Sequence, residues 1–333
     1  MAERKSDFGN ASILGTGVYL PERIVSNTEL VTTVPFSGDW ILNRTGIESR
    51  RIATEKECTS DLAAAAAENA LRSSGVEAQE IDLLIVATIT PDRLLPSTAA
   101  IVREKIGALK SISFDLNAAC SGFVFALDVA EKFIRMGQAR YALVIAADTL
   151  SRFTATTDPK NYILFGDGAG AALLHRGNGN EGIKGSLFGM DTKYPADWLT
   201  IHVGSEFVGS KAGGNGNLPL FSMNGAKIFH WAVKTVPKSI QSTLDKYDIS
   251  MDDIRLIIPH QANKRIITAV ADRLNIPLDK FMLTIDIYGN TSAASIPIAL
   301  DKAIAEDKLK RGDLFMLVGF GGGLAWGNTI IEL

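Results

Sequence analysis

The sequence predicts a layered α/β architecture built from two similar halves, on two observations. Apolar runs with strand character alternate with stretches whose apolar residues recur at helical spacing. Two patterns also recur in the same order along the 333 residues. Phe114-Asp-Leu…Cys120-Ser…Ala126-Leu-Asp-Val-Ala130 resembles Ile285-Asp-Ile…Thr291-Ser…Ala299-Leu-Asp-Lys-Ala303, with a two-residue insertion between the copies. Gly137-Gln-Ala-Arg-Tyr-Ala-Leu-Val144 resembles Gly312-Asp-Leu-Phe-Met-Leu-Val318, one residue shorter. Two matches in one order favour duplication over chance. The halves are expected at residues 1–175 and 176–333, with a site where equivalent strand ends meet.

In chain order, Ile13 to Leu20 reads as a strand ended by Pro21, and Asn27 as the cap of a short helix from Thr28. Trp40 and Arg44, four residues apart, share one helix face; a tryptophan packed over an arginine stem is the plain alternative. A helix is expected from Ser60 to about Ser73, its Ala63–Ala67 run being helix-forming rather than low-complexity. Ile81 to Ile89 is apolar enough for a central strand. Pro91 to Pro96 is a loop, and a helix follows over Thr98 to Ile106. Ser111 to Leu116 and Tyr141 to Ala147 read as buried strands, and Ser151 to Asn161 as a loop. Ile163 to Leu174 is a glycine-rich turn into a strand; no helical pattern follows, so it is not a dinucleotide fingerprint. The segment from Arg176 to Asn217, rich in Gly and Asn, reads as linker and surface loops. A helix over Asn224 to Tyr247 opens the second half. The strand Ile254 to Ile258 runs into Pro259-His260-Gln-Ala-Asn263, where Asn263 can cap a helix to about Leu274.

Composition narrows the function. With 46% hydrophobic and 21% charged residues the chain can build a sizeable core. A net charge of -3 without a Lys/Arg run argues against nucleic acid. No apolar run reaches the length of a membrane span, and the first ten residues lack a signal-peptide core. Cys58 and Cys120 form no disulfide framework and have no metal-site spacing, which suits a reducing cytoplasm and no bound metal.

The period of the chain changes at Cys120. Ile112, Phe114 and Leu116 alternate before it, while Phe123, Leu127, Ala130 and Ile134 follow at helical spacing. A cysteine at such a strand-to-helix elbow sits in the field of the helix N-terminus, so its thiol pKa is expected to fall. Ser121 and Gly122 keep the turn narrow. This is the setting of an activated nucleophile; a small buried hydrophobe is the bland alternative. His260 lies just past a strand end, and Asn290 stands in the second copy at nearly the place of Cys120. Phe320-Gly-Gly-Gly-Leu-Ala-Trp326 is a glycine loop. Singly, these could cap a strand, hold a turn and make a hairpin. Together they are the ingredients of thioester chemistry: a nucleophile, a polar pair and backbone donors.

On these residues the chain resembles the β-ketoacyl-[acyl-carrier-protein] synthase III family of the thiolase-like superfamily. The matching pieces are Trp40-Ile-Leu-Asn-Arg-Thr-Gly46, Ala118-Ala-Cys120-Ser-Gly122, Phe165-Gly-Asp-Gly-Ala-Gly-Ala171, His260-Gln-Ala-Asn263, Gly289-Asn290-Thr-Ser-Ala-Ala294 and Phe320-Gly-Gly-Gly323 with Trp326-Gly327. The resemblance implies a five-layered αβαβα fold. It implies a decarboxylative condensation of an acyl-coenzyme A primer with malonyl-[acyl-carrier-protein], initiating fatty-acid synthesis. Cys120, His260 and Asn290 would be catalytic, and the backbone N–H groups of Cys120 and Gly322 the oxyanion hole. His260 Nε2 and the Asn290 amide would donate to the malonyl thioester oxygen. Trp40, Arg44, Asn263 and Arg265 would serve the coenzyme A and carrier-protein side, with no permanently bound cofactor. A homodimer is implied, in which Leu95 reaches the partner's acyl pocket.

The donor side departs from the family pattern. Pro159, followed by Lys160, stands where an arginine often covers the adenine, and Ala226 and His230 stand where polar or lysine residues line the entrance. Two alternatives follow: a related condensing enzyme of a secondary-metabolite pathway, and a non-catalytic acyl-thioester binding protein. A thiolase is disfavoured, because its second catalytic cysteine has no counterpart in the setting of Cys58.

Overall fold

The structure, a computed structural model, describes residues 10–177, 181–205 and 221–333. The first ordered half holds β1 (Ala11–Tyr19), β2 (Ile24–Ser26), α1 (Asn27–Leu30), α2 (Gly38–Thr45), β3 (Ser49–Arg51) and α3 (Thr59–Ser74). It continues through β4 (Leu83–Ala87), α4 (Thr98–Ile106), β5 (Ile112–Leu116), α5 (Gly122–Arg135), β6 (Tyr141–Asp148), α6 (Pro159–Tyr162) and β7 (Gly168–Arg176). Then come β8 (Gly182–Met190), β9 (Leu199–Ile201), β10 (Phe221–Met223), α7 (Gly225–Tyr247), β11 (Ile254–Pro259) and α8 (Lys264–Leu274). The chain closes with α9 (Ile285–Tyr288), α10 (Ser295–Ala305), β12 (Leu314–Phe320) and β13 (Ala325–Glu332).

Two sheets repeat one topology. The first has the order β1-β7-β6-β4-β5 and the second β8-β13-β12-β11, so each strand of the second has a counterpart in the first. In both, a parallel pair (β4 with β6, β11 with β12) is followed by an antiparallel neighbour. Their central strands are apolar on both faces because both faces are covered. In β4, Leu83, Ile85 and Ala87 join the central core, while Leu84 and Val86 face α3 and α4. In β12, Phe315 and Leu317 face the centre, while Met316 and Val318 pack towards α7 and α8. Helices α5 and α10 fill the centre, between the sheets. The layers therefore run helix, sheet, helix, sheet, helix, as the resemblance implied.

Four expectations change. The strand at Ser111 to Leu116 is not buried: β5 is the edge of its sheet, and Ile112 is 57% exposed. Among the described residues it pairs only with β4, which leaves one row of its backbone groups open. The cap of the first helix is Ser26, whose Oγ accepts from the Glu29 N–H. Asn27 is buried instead, donating to the Ile47 carbonyl and accepting from the Arg50 guanidinium. The expected linker from Arg176 to Asn217 contains β8, a nine-residue strand paired with β13. Its glycines suit a paired strand as well as a loop: Gly185 and Gly189 lie against the rings of Tyr247 and Trp326. Residues 178–180 and 206–220 of that segment lie outside the described residues, as do the first nine. No helix among the described residues is long and apolar enough to cross a membrane.

The fourth change concerns the repeat. Short 3-10 turns, Ala119–Ser121 and Ser292–Ala294, lead into α5 and α10. Ala119 and Ser292 share a left-handed backbone, with φ of 48° and 53°. Cys120 therefore corresponds to Ala293, and the insertion precedes the turn. The match of Phe114-Asp-Leu to Ile285-Asp-Ile pairs a strand with a short helix, because among the described residues the second sheet has no partner strand beyond β11.

Candidate active site

The two 3-10 turns meet at the centre of the molecule, and the nucleophile candidate lies between them. Cys120 is buried, and the Ser292 hydroxyl donates to its sulfur at 3.6 Å. The glycine loop after β12 passes close by. A Cβ on Gly321 would stand 2.7 Å from the Cys120 Cβ and 3.0 Å from its nitrogen, so only glycine lets the loop approach. The N–H groups of Gly322 and of Cys120 itself act on the sulfur and favour its anion.

Burial nevertheless outweighs these donors. It pushes the Cys120 thiol up to about 11; the Ser292 hydroxyl and the two N–H groups pull the other way, and the Asp148 carboxylate adds to the rise. The expectation of a depressed pKa, drawn from the helix N-terminus, is thus reversed. A dipole at a helix end contributes a fraction of a charge, whereas the interior removes the whole hydration shell of the thiolate. The resting sulfur is a thiol.

His260 immediately follows β11 and is buried, its ring 5.3 Å from that of Phe320 in an edge-to-face contact. Burial drives its pKa down to about 3, so the imidazole is neutral at physiological pH. Its hydrogen-bond network assigns the tautomer. Ser295 has one hydroxyl hydrogen, which goes to the Ser292 carbonyl at 2.7 Å. Ser295 Oγ therefore accepts from the Gln261 N–H at 3.1 Å and from His260 Nδ1 at 2.8 Å. The imidazole proton sits on Nδ1, and Nε2 carries a lone pair. In this resting arrangement Nε2 is an acceptor, because Ser295 at the start of α10 claims the other nitrogen. Gln261 locks this loop to the rest of the second half, donating to the Pro259 and Met282 carbonyls and accepting from the N–H groups of Thr284 and Ile285.

Asn290 is held by the first half of the chain. Its N–H donates to the Leu164 carbonyl at 2.9 Å, and its carbonyl accepts from the Gly166 N–H at 3.1 Å. Its side-chain Oδ1 accepts from the Ser292 N–H at 2.9 Å, which leaves Nδ2 as the free donor. This explains the Phe165-Gly-Asp-Gly motif: a Cβ on Gly166 would stand 2.3 Å from the Tyr288 carbonyl. Gly166→Ala is expected to lower stability by about 1–3 kcal/mol, the usual scale of overpacking, seen as a lower Tm. Activity of the surviving folded enzyme should fall too, since Asn290 shifts with its clamp. An unchanged Tm would show that the loop absorbs the methyl.

Cys120, His260 and Asn290 line one cavity of about 940 Å³, and so do Trp40, Arg44, Asn263 and Arg265. The catalytic candidates are buried, whereas Trp40, Arg44 and Arg265 are exposed. Asn263 staples the two sides: its Oδ1 caps α8 through the Arg265 N–H, and its Nδ2 donates to the Arg44 carbonyl at the end of α2. Trp40 is stacked on Phe36, centroids 4.1 Å apart and 12° between planes, which leaves one indole face for a ligand. The Arg265 guanidinium lies 5.7 Å from the centre of the Phe229 ring. Lys160, Ala226 and His230 line the cavity; Pro159 does not. Leu95, 85% exposed, lies outside it. Sequence reasoning passed over Ser292, Ser295 and Asp148. The serines stand three apart in Asn290-Thr-Ser-Ala-Ala-Ser295, and an aspartate ending an apolar strand was a signal that went unused.

A buried cysteine at one central helix start, facing an imidazole and an amide from the other half of a duplicated αβαβα frame, is the arrangement of thiolase-like condensing enzymes. The comparisons with known proteins narrow this class. A family model described as 3-oxoacyl-[acyl-carrier-protein] synthase III matches residues 114–192, and that of its C-terminal region matches residues 244–333. The β-ketoacyl-[acyl-carrier-protein] synthase III of Clostridium perfringens strain SM101 is 47% identical over 97% of this chain and 99% of its own length. The crystal structure of the 3-oxoacyl-[acyl-carrier-protein] synthase III of Aquifex aeolicus superposes with a TM-score of 0.89 at 41% identity, covering 97% of this chain and 100% of that one. A priming β-ketosynthase of the R1128 polyketide pathway superposes with a TM-score of 0.92 at 33% identity, over 100% and 99%. The chain belongs to the β-ketoacyl-[acyl-carrier-protein] synthase III family, and it is a condensing acyltransferase.

Proposed function

We propose that the chain condenses an acyl-coenzyme A primer with malonyl-[acyl-carrier-protein] and so opens fatty-acid synthesis in the cytoplasm. The observation that carries this reading is the meeting of Cys120, His260 and Asn290 on the cavity that Trp40 and Arg44 also line. Cys120 attacks the acyl thioester, and the N–H groups of Cys120 and Gly322 hold the oxyanion. Attack requires loss of the thiol proton, since burial keeps the sulfur protonated. Coenzyme A leaves, the malonyl thioester enters, and Asn290 Nδ2 donates to its carbonyl oxygen. His260 adds a second donor once its proton is on Nε2, with Ser295 turning its hydroxyl from the Ser292 carbonyl to Nδ1. The enolate left as carbon dioxide departs attacks the acyl-Cys120 thioester and releases a β-ketoacyl chain. Coenzyme A thioester is a substrate here, and protein groups carry every step.

The remaining assignments belong to the same reading. Lys227, Lys234, Lys238, Lys264 and Arg265 are exposed on α7 and the start of α8, a basic surface suited to an acidic carrier protein. Asn263 positions α2 against α8. The open edge of β5 and the exposed Leu94 and Leu95 favour a homodimer, with Leu95 entering the partner's acyl pocket. The division into halves at residues 175 and 176 is supported by the two sheets, whose strands fall on either side of it to within one residue. Incubation with a panel of acyl-coenzyme A thioesters tests the function. Intact mass should show one acyl group on Cys120, and no adduct from any member would favour a binding protein.

The adenine side yields a prediction of its own. Trp40 offers one face, and Pro159 supplies no guanidinium. Pro159→Arg is expected to tighten coenzyme A binding by up to about tenfold, roughly 1.4 kcal/mol of cation–π and stacking gain. Titration of both proteins checks this. Equal affinities would mean that Lys160, already lining the cavity, fills the role, and faster acylation from a carrier protein would favour the specialised-pathway reading.

A further inference from the structure

Asp148 is a fully buried carboxylate for which the condensation as described has no use. It ends β6, close enough to the nucleophile for its charge to act on the Cys120 thiol. Its Oδ1 collects three donors: the Thr88 hydroxyl at 3.0 Å, the Ile89 N–H at 2.9 Å and the Thr90 hydroxyl at 3.1 Å. Its Oδ2 is buried with no hydrogen bond of ordinary geometry. A buried carboxylate oxygen left in this way is costly, and such a group calls for a reason. Ser292 links the two groups: its single hydroxyl hydrogen goes to the cysteine sulfur at 3.6 Å, and the same hydroxyl turned the other way favours the Asp148 anion. Ser292 is itself strained, a buried serine at φ 53°. Strain of this kind is kept where a group must be aimed.

We propose that Asp148 holds the Cys120 proton while the cysteine is acylated, with Ser292 as the relay between them. The step balances. The Ser292 hydroxyl first turns from the sulfur to the Asp148 carboxylate; as the sulfur–carbon bond forms, the thiol proton passes to Ser292 Oγ and the Ser292 hydroxyl proton passes to Asp148. The coenzyme A thiolate takes a proton from solvent. When the carbanion later expels Cys120 as a thiolate, the two protons move back, and thiol and carboxylate are restored. One solvent proton is consumed per turnover, as the release of carbon dioxide from a malonyl carboxylate requires.

The surroundings fit a group that gains and loses a proton. Burial pushes the Asp148 carboxyl up to about 6, so it is mostly ionised at pH 7 and still a usable acceptor. Around it, the end of β4 presents the neutral Thr88 and Thr90, and α3 presents Thr59, which reaches Thr90 and Thr149. The turn before α5 presents Cys120, and the turn before α10 presents Ser292. His260 faces that second turn from β11 and is neutral at any pH near 7. Asp167, ahead of β7, is engaged by Ser151 and the Ala53 N–H.

The proposal rests on Cys120 as nucleophile and is tested apart from it, without substrate, by iodoacetamide alkylation of Cys120 against pH. The protein is the full chain with Cys58→Ser, read by intact mass. The rate should rise as pH rises through about 6, where Asp148 ionises. Asp148→Asn keeps an oxygen for the three donors of Oδ1 and cannot accept a proton. It should lose the limb near pH 6 and fall by about 10²-fold at neutral pH, the usual scale of a lost general base. Ser292→Ala, whose counterpart Ala119 already tolerates the left-handed backbone, should do the same by breaking the relay. A purely electrostatic Asp148 predicts the opposite sign, since removing its charge lowers the thiol pKa and speeds alkylation. An unchanged or faster rate in Asp148→Asn, or a wild-type profile in Ser292→Ala, overturns the proposal. In infrared difference spectra, acylation of the Cys58→Ser protein should add a protonated-carboxyl band that Asp148→Asn lacks. If Cys120 instead proves not to carry the acyl group, the reading of the site fails first, and intact mass shows that separately.

Discussion

Cys120→Ala is expected to abolish the covalent acyl-enzyme and the condensation with it, with no measurable acyl adduct by intact mass. The fold should survive. The site already accommodates a small buried side chain, and the equivalent position on the second turn is Ala293. The loop that crowds Cys120 at Gly321 touches its Cβ and backbone as well as its sulfur, so most of that packing remains. Removing the thiol also removes a buried group that burial holds neutral, so no charge is left unpaired. An undiminished adduct in this variant would move the nucleophile elsewhere, with Cys58 the only other thiol.

His260→Ala and Asn290→Ala are each expected to slow malonyl decarboxylation by about 10²–10³-fold, the cost of one lost oxyanion donor. Acylation of Cys120 should suffer less, because its oxyanion is held by backbone N–H groups in the proposed mechanism. Carbon dioxide release from labelled malonyl thioester, measured beside the acylation rate, separates the two steps. The double variant should lose little more than the worse single one if both donors act on one oxygen. Normal carbon dioxide release in both single variants would contradict the assignment. Because burial holds His260 near 3, its protonation should leave no acid limb in the rate between pH 5 and 8.

Much of the site was legible because its chemistry is written in short contiguous motifs. The switch from alternation to helical spacing at Cys120 marked the elbow, and α5 begins two residues after it. Asn263 as a helix cap followed from a side chain that binds its own backbone two residues on, and α7 begins where a helix was expected, with Asn224 as its cap. Where a residue's partner lay far along the chain, local reasoning failed. Asn27 turned to Ile47 and Arg50 rather than to its own helix, and the glycine-rich β8 became a strand because β13 offers it a partner.

By itself, then, the sequence determined the duplicated α/β frame, the positions of most elements, and the identity of Cys120, His260 and Asn290 as a set. The frame and its elements follow from periodicity and capping, which are local; the set follows from short motifs that resemble those of a known family. The tertiary structure alone decided the state in which that set rests. Burial, which depends on every layer at once, made the thiol neutral against the pull of the helix end and kept the imidazole uncharged. The second turn, folded back onto the first, brought Ser292 to the sulfur and Ser295 to the imidazole across gaps of 172 and 35 residues. Protonation is a property of surroundings, and those surroundings exist only once the two halves have closed on each other.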